Sequence, residues 1–314
     1  PERSGKTPSP RTQRVPPPRA TADEGTPVSV AVGRTRQNDA RSGEAGEASP
    51  YCVTKRSRRG TRGGVRRIFL SERSVMLEDS EVERALVVMA HPDDVDFGAA
   101  GTMALWNRAG ISVTYGIVTD GDAGGFDPAI PRAEIPGIRQ REQRAAAAVV
   151  GVRDVHFLGY TDGDVNPSQD LRRDISRLIR QVRPQRMLIQ SPDRKWEHIP
   201  ASHPDHMAAG EAAIRAVYPD ARNPFAHPTL LQDEGLEDWV VPEVWMMASP
   251  HPNHFVDVTD SFEDKMRAIG AHVSQLPAPE IVEDKVREWS SAAAAEAGLP
   301  EGRLAEAFQV VTIS

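Results

Sequence analysis

Six apolar residues in a row, Ala85-Leu86-Val87-Val88-Met89-Ala90, lead straight into His91-Pro92-Asp93-Asp94. The run reads as a buried strand, so an imidazole and two carboxylates emerge where that strand ends. From residue 84 onward, strand-like and helix-like patterns alternate. Val113 to Val118, Val155 to Leu158 and Met187 to Gln190 are the next strand candidates. Leu171, Ile175, Leu178, Ile179 and Val182 recur at helical spacing on a segment that stops before Pro184. Ile138 to Val150 reads as a second, alanine-rich helix closed by Gly151. Gly98-Ala99-Ala100-Gly101 is expected to open the first helix with small side chains that let it lie close to the sheet. The pattern predicts an α/β fold with a mostly parallel sheet and helices on both faces.

Residues 1–75 are of another kind. They hold 16 Lys+Arg against 7 Asp+Glu, about +9, whereas the remainder holds 22 against 38, about −16. Pro16-Pro17-Pro18, many Ser, Gly and Arg, and the lack of apolar periodicity predict disorder, because little apolar surface is available to offset the entropy of ordering. The expected division is therefore a basic tail over 1–80 and a folded domain over 81–314. A basic arm for nucleic acid is the sharper reading of the tail, and an unstructured extension is the better supported one. Met76 is the first methionine, a pattern that a start assigned too far upstream would produce. Cys52 is the single cysteine, so one chain can form neither a disulfide nor a cysteine-based zinc site. No apolar stretch approaches the roughly 18 residues of a membrane span, and no secretory signal pattern is present. A cytoplasmic protein fits these features, and the acidic folded part argues against general nucleic-acid binding.

In parallel sheets ligands gather at the carboxyl ends of the strands. His91 follows the first strand, Thr119-Asp120-Gly121-Asp122 the second, Gly159-Tyr160-Thr161-Asp162 the third, and Ser191 to His203 the fourth. All four loops are expected on one edge of the sheet. His203-Pro204-Asp205-His206 then opens a further helix, with Pro204 at its first position, His203 as N-cap and His206 in its first turn. A catalytic zinc takes three protein ligands from His and carboxylate and leaves a fourth position for water. His91, Asp94 and His206 form such a set, and it leaves Asp93 and His203 for proton transfers. Two His and one carboxylate also suit Fe(II). The expectation is a zinc-dependent hydrolase.

Ala90-His91-Pro92-Asp93-Asp94-Val95-Asp96-Phe97-Gly98, Thr119 to Gly125 and His203-Pro204-Asp205-His206 together resemble the PIG-L (LmbE-like) deacetylases. The resemblance runs from about Ala85 to Gln275. It implies a Rossmann-like sheet and a zinc-dependent N-deacetylase of N-acetylglucosamine-type substrates. It also implies His91, Asp94 and His206 as zinc ligands and Asp93 as general base. His203 would be general acid for the departing amine or a cation beside the oxyanion. Family members commonly carry Glu where this chain has Asp96, which puts the hydrogen bond of that side chain in question. Arg139 and Glu142 match a polar pair of the family. Arg139 and Asp162 are the candidate substrate contacts, with Asp120 and Asp122 weaker ones. The implied partner is a small acetylated amino sugar or glycoside, with neither nucleic acid nor membrane.

Further along, Glu243 to Ala248 and Phe255 to Val258 read as strands, and Asp260 as the cap of a helix carrying Lys265, Met266, Ile269 and His272. His251 and His254 are expected as solvated loop residues. His272-Val273-Ser274-Gln275 resembles the ending of the family's last core helix, a structural element or part of the cleft rim. Residues 280–308 are expected as a helical segment outside the sheet. Two other functions compete: an amidase of a thiol-sugar conjugate, and a non-catalytic sugar- or nucleotide-binding module. The first turn lacks the Gly-x-Gly-x-x-Gly pattern that cradles pyrophosphate, which weighs against the latter.

Overall fold

The computed structural model of the protein describes residues 76–276 and 278–313. The basic tail, Cys52 and most of the expected 1–80 segment lie outside the described residues. The sheet has seven strands: β1 (Arg84–Met89), β2 (Ser112–Thr119), β3 (Asp154–Tyr160), β4 (Arg186–Gln190), β5 (Glu243–Met247), β6 (His254–Asp257) and β7 (Ala305–Thr312). The helices are α1 (Asp94–Arg108), α2 (Ile135–Val149), α3 (Gln169–Val182), α4 (Pro204–Arg215), the short α5 (Pro228–Gln232), α6 (Phe262–Gly270) and α7 (Pro279–Glu296). Strand order is β3-β2-β1-β4-β5-β7-β6. The first five are mutually parallel, and β7 runs antiparallel to β5 and β6. The expected mostly parallel α/β sheet is therefore the observed one.

The unbroken apolar character of β1 has a direct cause. Ala85, Val87 and Met89 pack into the cluster that includes residues of α1 and α2. Leu86, Val88 and Ala90 pack on the other face with Leu171, Ile175 and Ile179 of α3 and Ala209 and Ala212 of α4. Side chains alternate across a strand, so a strand covered on both faces needs apolar residues at every position.

Three expectations change. α1 begins at Asp94, so Gly98 and Gly101 lie inside it rather than at its start. Their smallness still serves close packing, because a Cβ on Gly98 would meet Met247 Sδ at 2.6 Å. Residues 280–308 are not one outer helix: α7 stops at Glu296, and Ala305 to Thr312 form β7 inside the sheet. Gly298 and Pro300 were the available stop signal. The sheet position rests on distant partners, with Phe308 opposite Met247 and its ring 5.2 Å from that of Trp245. Asp260 lies in a 3-10 turn, and Ser261 occupies the N-cap position of α6, which ends before His272.

The entry to β1 is also folded. Leu77 N–H donates to Glu243 at 2.7 Å, and Asp79 to Glu81 form a 3-10 turn. The structured chain thus takes in residues 76–80, earlier than the expected boundary. Beneath this entry Arg186, wholly buried, bonds Glu243 at 2.6 Å and Asp79 at 2.5 Å. Its guanidinium lies between the rings of Trp106 and Trp245. Among the described residues no helix is long and apolar enough to cross a membrane.

Candidate metal centre

Strand order reverses between β1 and β4, and the crevice at such a reversal is where open α/β sheets bind ligands. His91 and Asp94 come from the end of β1, and His203, Asp205 and His206 from the start of α4 just after β4. Local geometry aims them. Asp93 adopts a left-handed backbone, φ 94°, at the N-cap of α1 and makes no capping bond with its side chain. Strain of this type in a non-glycine residue persists only where surroundings enforce it. Here Asp93 N–H donates to buried Gln143 at 2.8 Å. His203 caps α4 by accepting the Asp205 N–H on Nδ1 at 3.2 Å.

Two imidazole nitrogens and a carboxylate meet at the crevice. His91 Nδ1 lies 3.2 Å from His206 Nε2 and 3.4 Å from an Asp94 oxygen, and His206 Nε2 lies 3.0 Å from the other Asp94 oxygen. A tetrahedral ion with bonds of about 2.0–2.1 Å separates its donor atoms by roughly 3.3 Å. The ring of His203 is 5.1 Å from that of His91 and 5.3 Å from that of His206. His91, His203 and His206 together form one group with metal-holding spacing, and His91, Asp162 and Asp205 form another. His91 belongs to both because its two nitrogens face opposite ways. Nε2 is 3.0 Å from Asp205 and 3.2 Å from Asp162. Asp205 also accepts the N–H groups of Gly163 and Val165.

The electrostatics favour added positive charge. Burial opposes the charged form of His91, yet the carboxylates of Asp162 and Asp94 outweigh it and hold the imidazole up at about 11. Burial likewise opposes charge on His206, and Asp94 reverses the balance and raises it. Burial also works to raise Asp94, but the two imidazoles hold it well below the usual carboxylate range. The two imidazoles and the surrounding acids are a donor set that suits a divalent cation. Asp93 behaves differently: burial raises it to about 6, against the pull of Arg139. His203 is lowered by burial and by the neighbouring imidazoles.

Arg139 is buried and donates to the carbonyls of Gly121 and Pro92 and, at 3.0 Å, to Asp93. A Cβ on Gly121, whose φ is 64°, would collide with that guanidinium. Asp162 spends its carboxylate on His91 and on the N–H of Ala123. Asp122 pairs with Arg132 and accepts the Asp162 N–H, and Asp120 accepts from Gln140. Glu142 binds the N–H and hydroxyl of Ser274. These acids hold the loops together. Asp96, despite its shorter side chain, accepts from Gln143 at 2.9 Å and lies 2.8 Å from His272 Nε2. His254 is half-buried, with its ring 4.7 Å from that of Trp245, so the expectation that it is solvated fails; His251 is exposed. Sequence reasoning missed Gln143 and the role of Asp205. The His-Pro-Asp-His group pointed to Asp205, whereas Gln143 gave no signal of its own.

A profile described as GlcNAc-PI de-N-acetylase, the PIG-L family, matches residues 86–217. Diacetylchitobiose deacetylase of Thermococcus kodakarensis is 32% identical over 198 residues, covering 63% of this chain and 72% of that protein. The chain belongs to the PIG-L family. A probable N-acetyl-alpha-D-glucosaminyl L-malate deacetylase 2 of Bacillus cereus is 33% identical over 200 residues, covering 62% of this chain and 84% of that protein. Among solved structures, the N,N'-diacetylchitobiose deacetylase of Pyrococcus horikoshii superposes with a TM-score of 0.68 at 29% identity, covering 74% of this chain and 85% of that one. All three of these relatives are named as deacetylases, and the segment matched by the family profile contains every residue of the crevice from His91 to His206.

Proposed function

We propose that the protein is a metal-dependent N-deacetylase that removes the acetyl group of an N-acetylglucosamine-type substrate. The observation that carries this reading is the triangle of His91 Nδ1, His206 Nε2 and the Asp94 carboxylate, whose two oxygens lie 3.4 Å from His91 and 3.0 Å from His206, with the two nitrogens 3.2 Å apart and a strained, clamped Asp93 beside it. The relatives' named substrates, diacetylchitobiose and N-acetylglucosaminyl malate, supply the substrate class.

His91, Asp94 and His206 would hold the ion, zinc or Fe(II). The alternative grouping of His91 with Asp162 and Asp205 is the supporting layer: a metal-ligating imidazole donates its other N–H to a carboxylate, as His91 Nε2 is placed to do toward Asp205. The ion when bound polarises the amide carbonyl and makes water more acidic.

The remaining work falls to the chain. Asp93 takes a proton from the water that attacks the acetyl carbon. Arg139 holds that carboxylate in place. With Nδ1 accepting the Asp205 N–H, neutral His203 carries its hydrogen on Nε2 and donates a hydrogen bond to the developing oxyanion. Asp93 then passes its proton to the amine nitrogen, the C–N bond breaks, and acetate and the free amine leave. Arg139 and Asp162, expected as substrate contacts, act here on Asp93 and His91. The activity is assigned to the deacetylase domain expected over residues 81–314.

The test is metal analysis of the purified full chain together with acetate release from diacetylchitobiose, N-acetylglucosaminyl malate and N-acetylglucosaminyl inositol. A stoichiometric divalent metal and release from at least one of the three supports the reading. A metal-loaded protein that releases no acetate from any of them refutes it.

A further inference from the structure

A cavity of about 570 Å³ opens beside the triangle and shares Asp94 and His206 with it. It runs away from the crevice between the end of β5, the loop after β4 and helix α7. Phe97, Met247, Pro252, Val286, Trp289 and Ala293 are among its apolar lining residues. Val286 is buried, and half-exposed Trp289 faces His198 across the mouth with ring centroids 6.3 Å apart. Four further charged side chains line it: Lys265 and Glu306 are buried and bonded to each other at 2.6 Å, whereas Lys195 is half-buried and Glu296 is exposed. Glu306 further accepts the N–H groups of Gly101 and Thr102 and the Thr102 hydroxyl. The buried pair is thus already partnered by the protein, and the solvent-facing Glu296 can keep its water.

The two flanks of the triangle differ in chemistry. The loops after β2 and β3 bring Asp120, Asp122, Arg132 and Asp162 to one side. The loop after β5 and α7 bring the apolar cavity to the other. The carboxylates on the polar flank already bond within the loops, but each keeps lone pairs that can accept a hydroxyl. An amide held at the triangle has two arms, and a hydroxyl-rich sugar suits the polar flank better than the apolar one. We propose that the cavity is an acyl-chain subsite and that the protein accepts N-acyl amino sugars whose acyl group is much larger than acetyl, with a straight medium chain as the fitting class. An acetyl methyl leaves nearly all of this volume unused, whereas the cavity has room for well over ten water-sized groups of about 30 Å³. Each methylene buried there multiplies binding by about fourfold. The proposal rests on the deacylase reading above. Its reaction is the same hydrolysis, with a fatty carboxylate leaving in place of acetate.

The test compares the metal-loaded full chain on N-acetyl-, N-hexanoyl- and N-octanoylglucosamine and titrates octanoate and acetate calorimetrically. Octanoyl is expected to exceed acetyl at least tenfold in kcat/KM, and octanoate to bind at least tenfold more tightly than acetate. Ala293→Trp, which fills the cavity from α7, is expected to lower the octanoyl-to-acetyl ratio and the octanoate affinity together, with an unchanged circular dichroism spectrum. Acetyl cleaved as well as or better than octanoyl overturns the subsite. So does octanoate binding no tighter than acetate, or an Ala293→Trp variant with an unaltered ratio. Faster cleavage of an octyl N-acetylglucosaminide than of N-octanoylglucosamine also overturns it, since the apolar arm would then lie on the amine side. If no amide is hydrolysed, the deacylase reading fails, and octanoate binding still decides the subsite.

Discussion

The Arg139 guanidinium reaches back from α2 to lie 3.0 Å from the Asp93 carboxylate while donating to the carbonyl of Pro92, the residue just before it. One buried side chain therefore fixes both the charge and the backbone of the proposed base. Arg139→Lys keeps the charge and loses the fork. Its expected effect is a fall in kcat of about a hundredfold with little change in KM, and metal content equal to that of the wild type. A loss confined to KM would return Arg139 to the role of substrate contact.

Asp93→Ala is expected to keep its metal and to lose turnover by about 10²–10⁴-fold. His206→Ala is expected to lose both, because it removes one corner of the triangle. Metal analysis beside acetate release separates the two variants. Full activity in Asp93→Ala contradicts its assignment as base.

An ion held by His91, Asp94 and His206 as proposed would join the start of α1 to the start of α4, so loading should raise stability. At a free concentration of one hundred times Kd the gain is about 2.7 kcal/mol. Urea unfolding with and without chelator measures it. The difference should vanish in Asp94→Ala, and a variant that keeps the full difference would place the ion elsewhere.

Arg186 and Glu243 form a buried pair at the opposite edge of the sheet, with Leu77 and Asp79 tied to it. Removing one partner strands the other charge without water. Arg186→Leu is expected to cost about 3–5 kcal/mol in urea unfolding. Arg186→Leu with Glu243→Gln should cost less than the two single changes added together.

His254 is held below its ordinary pKa by burial and by the charge of Arg186. The folded chain therefore takes up this proton at lower pH than the unfolded chain, whose histidine titrates near about 6.5. Stability from this group is present above that value and is lost as pH falls through it toward the folded pKa. Melting temperature between pH 8 and pH 5 should fall less in His254→Phe, which keeps a ring against Trp245, than in the wild type. Parallel slopes would show that His254 contributes nothing.

Local pattern carried much of this protein. The unbroken apolar run of β1, the helical spacing through Val182 and the two His-Pro-Asp groups are short-range features. The carboxyl-edge rule is enough to bring His91, Asp94, His203 and His206 to one crevice. What needed tertiary structure were relations across long stretches of chain. Asp205 turns one nitrogen of His91 from 114 residues away. Gln143 holds the Asp93 N–H from a helix 50 residues on, and Asp162 and Arg139 are drawn inward to partners that no periodicity announces. β7 joins the sheet because Phe308 meets Met247 and Trp245, and the apolar cavity exists only where α7 lies beside the end of β5. Periodicity records which face of an element is buried, whereas the partner it is buried against is set by the packing of the whole chain.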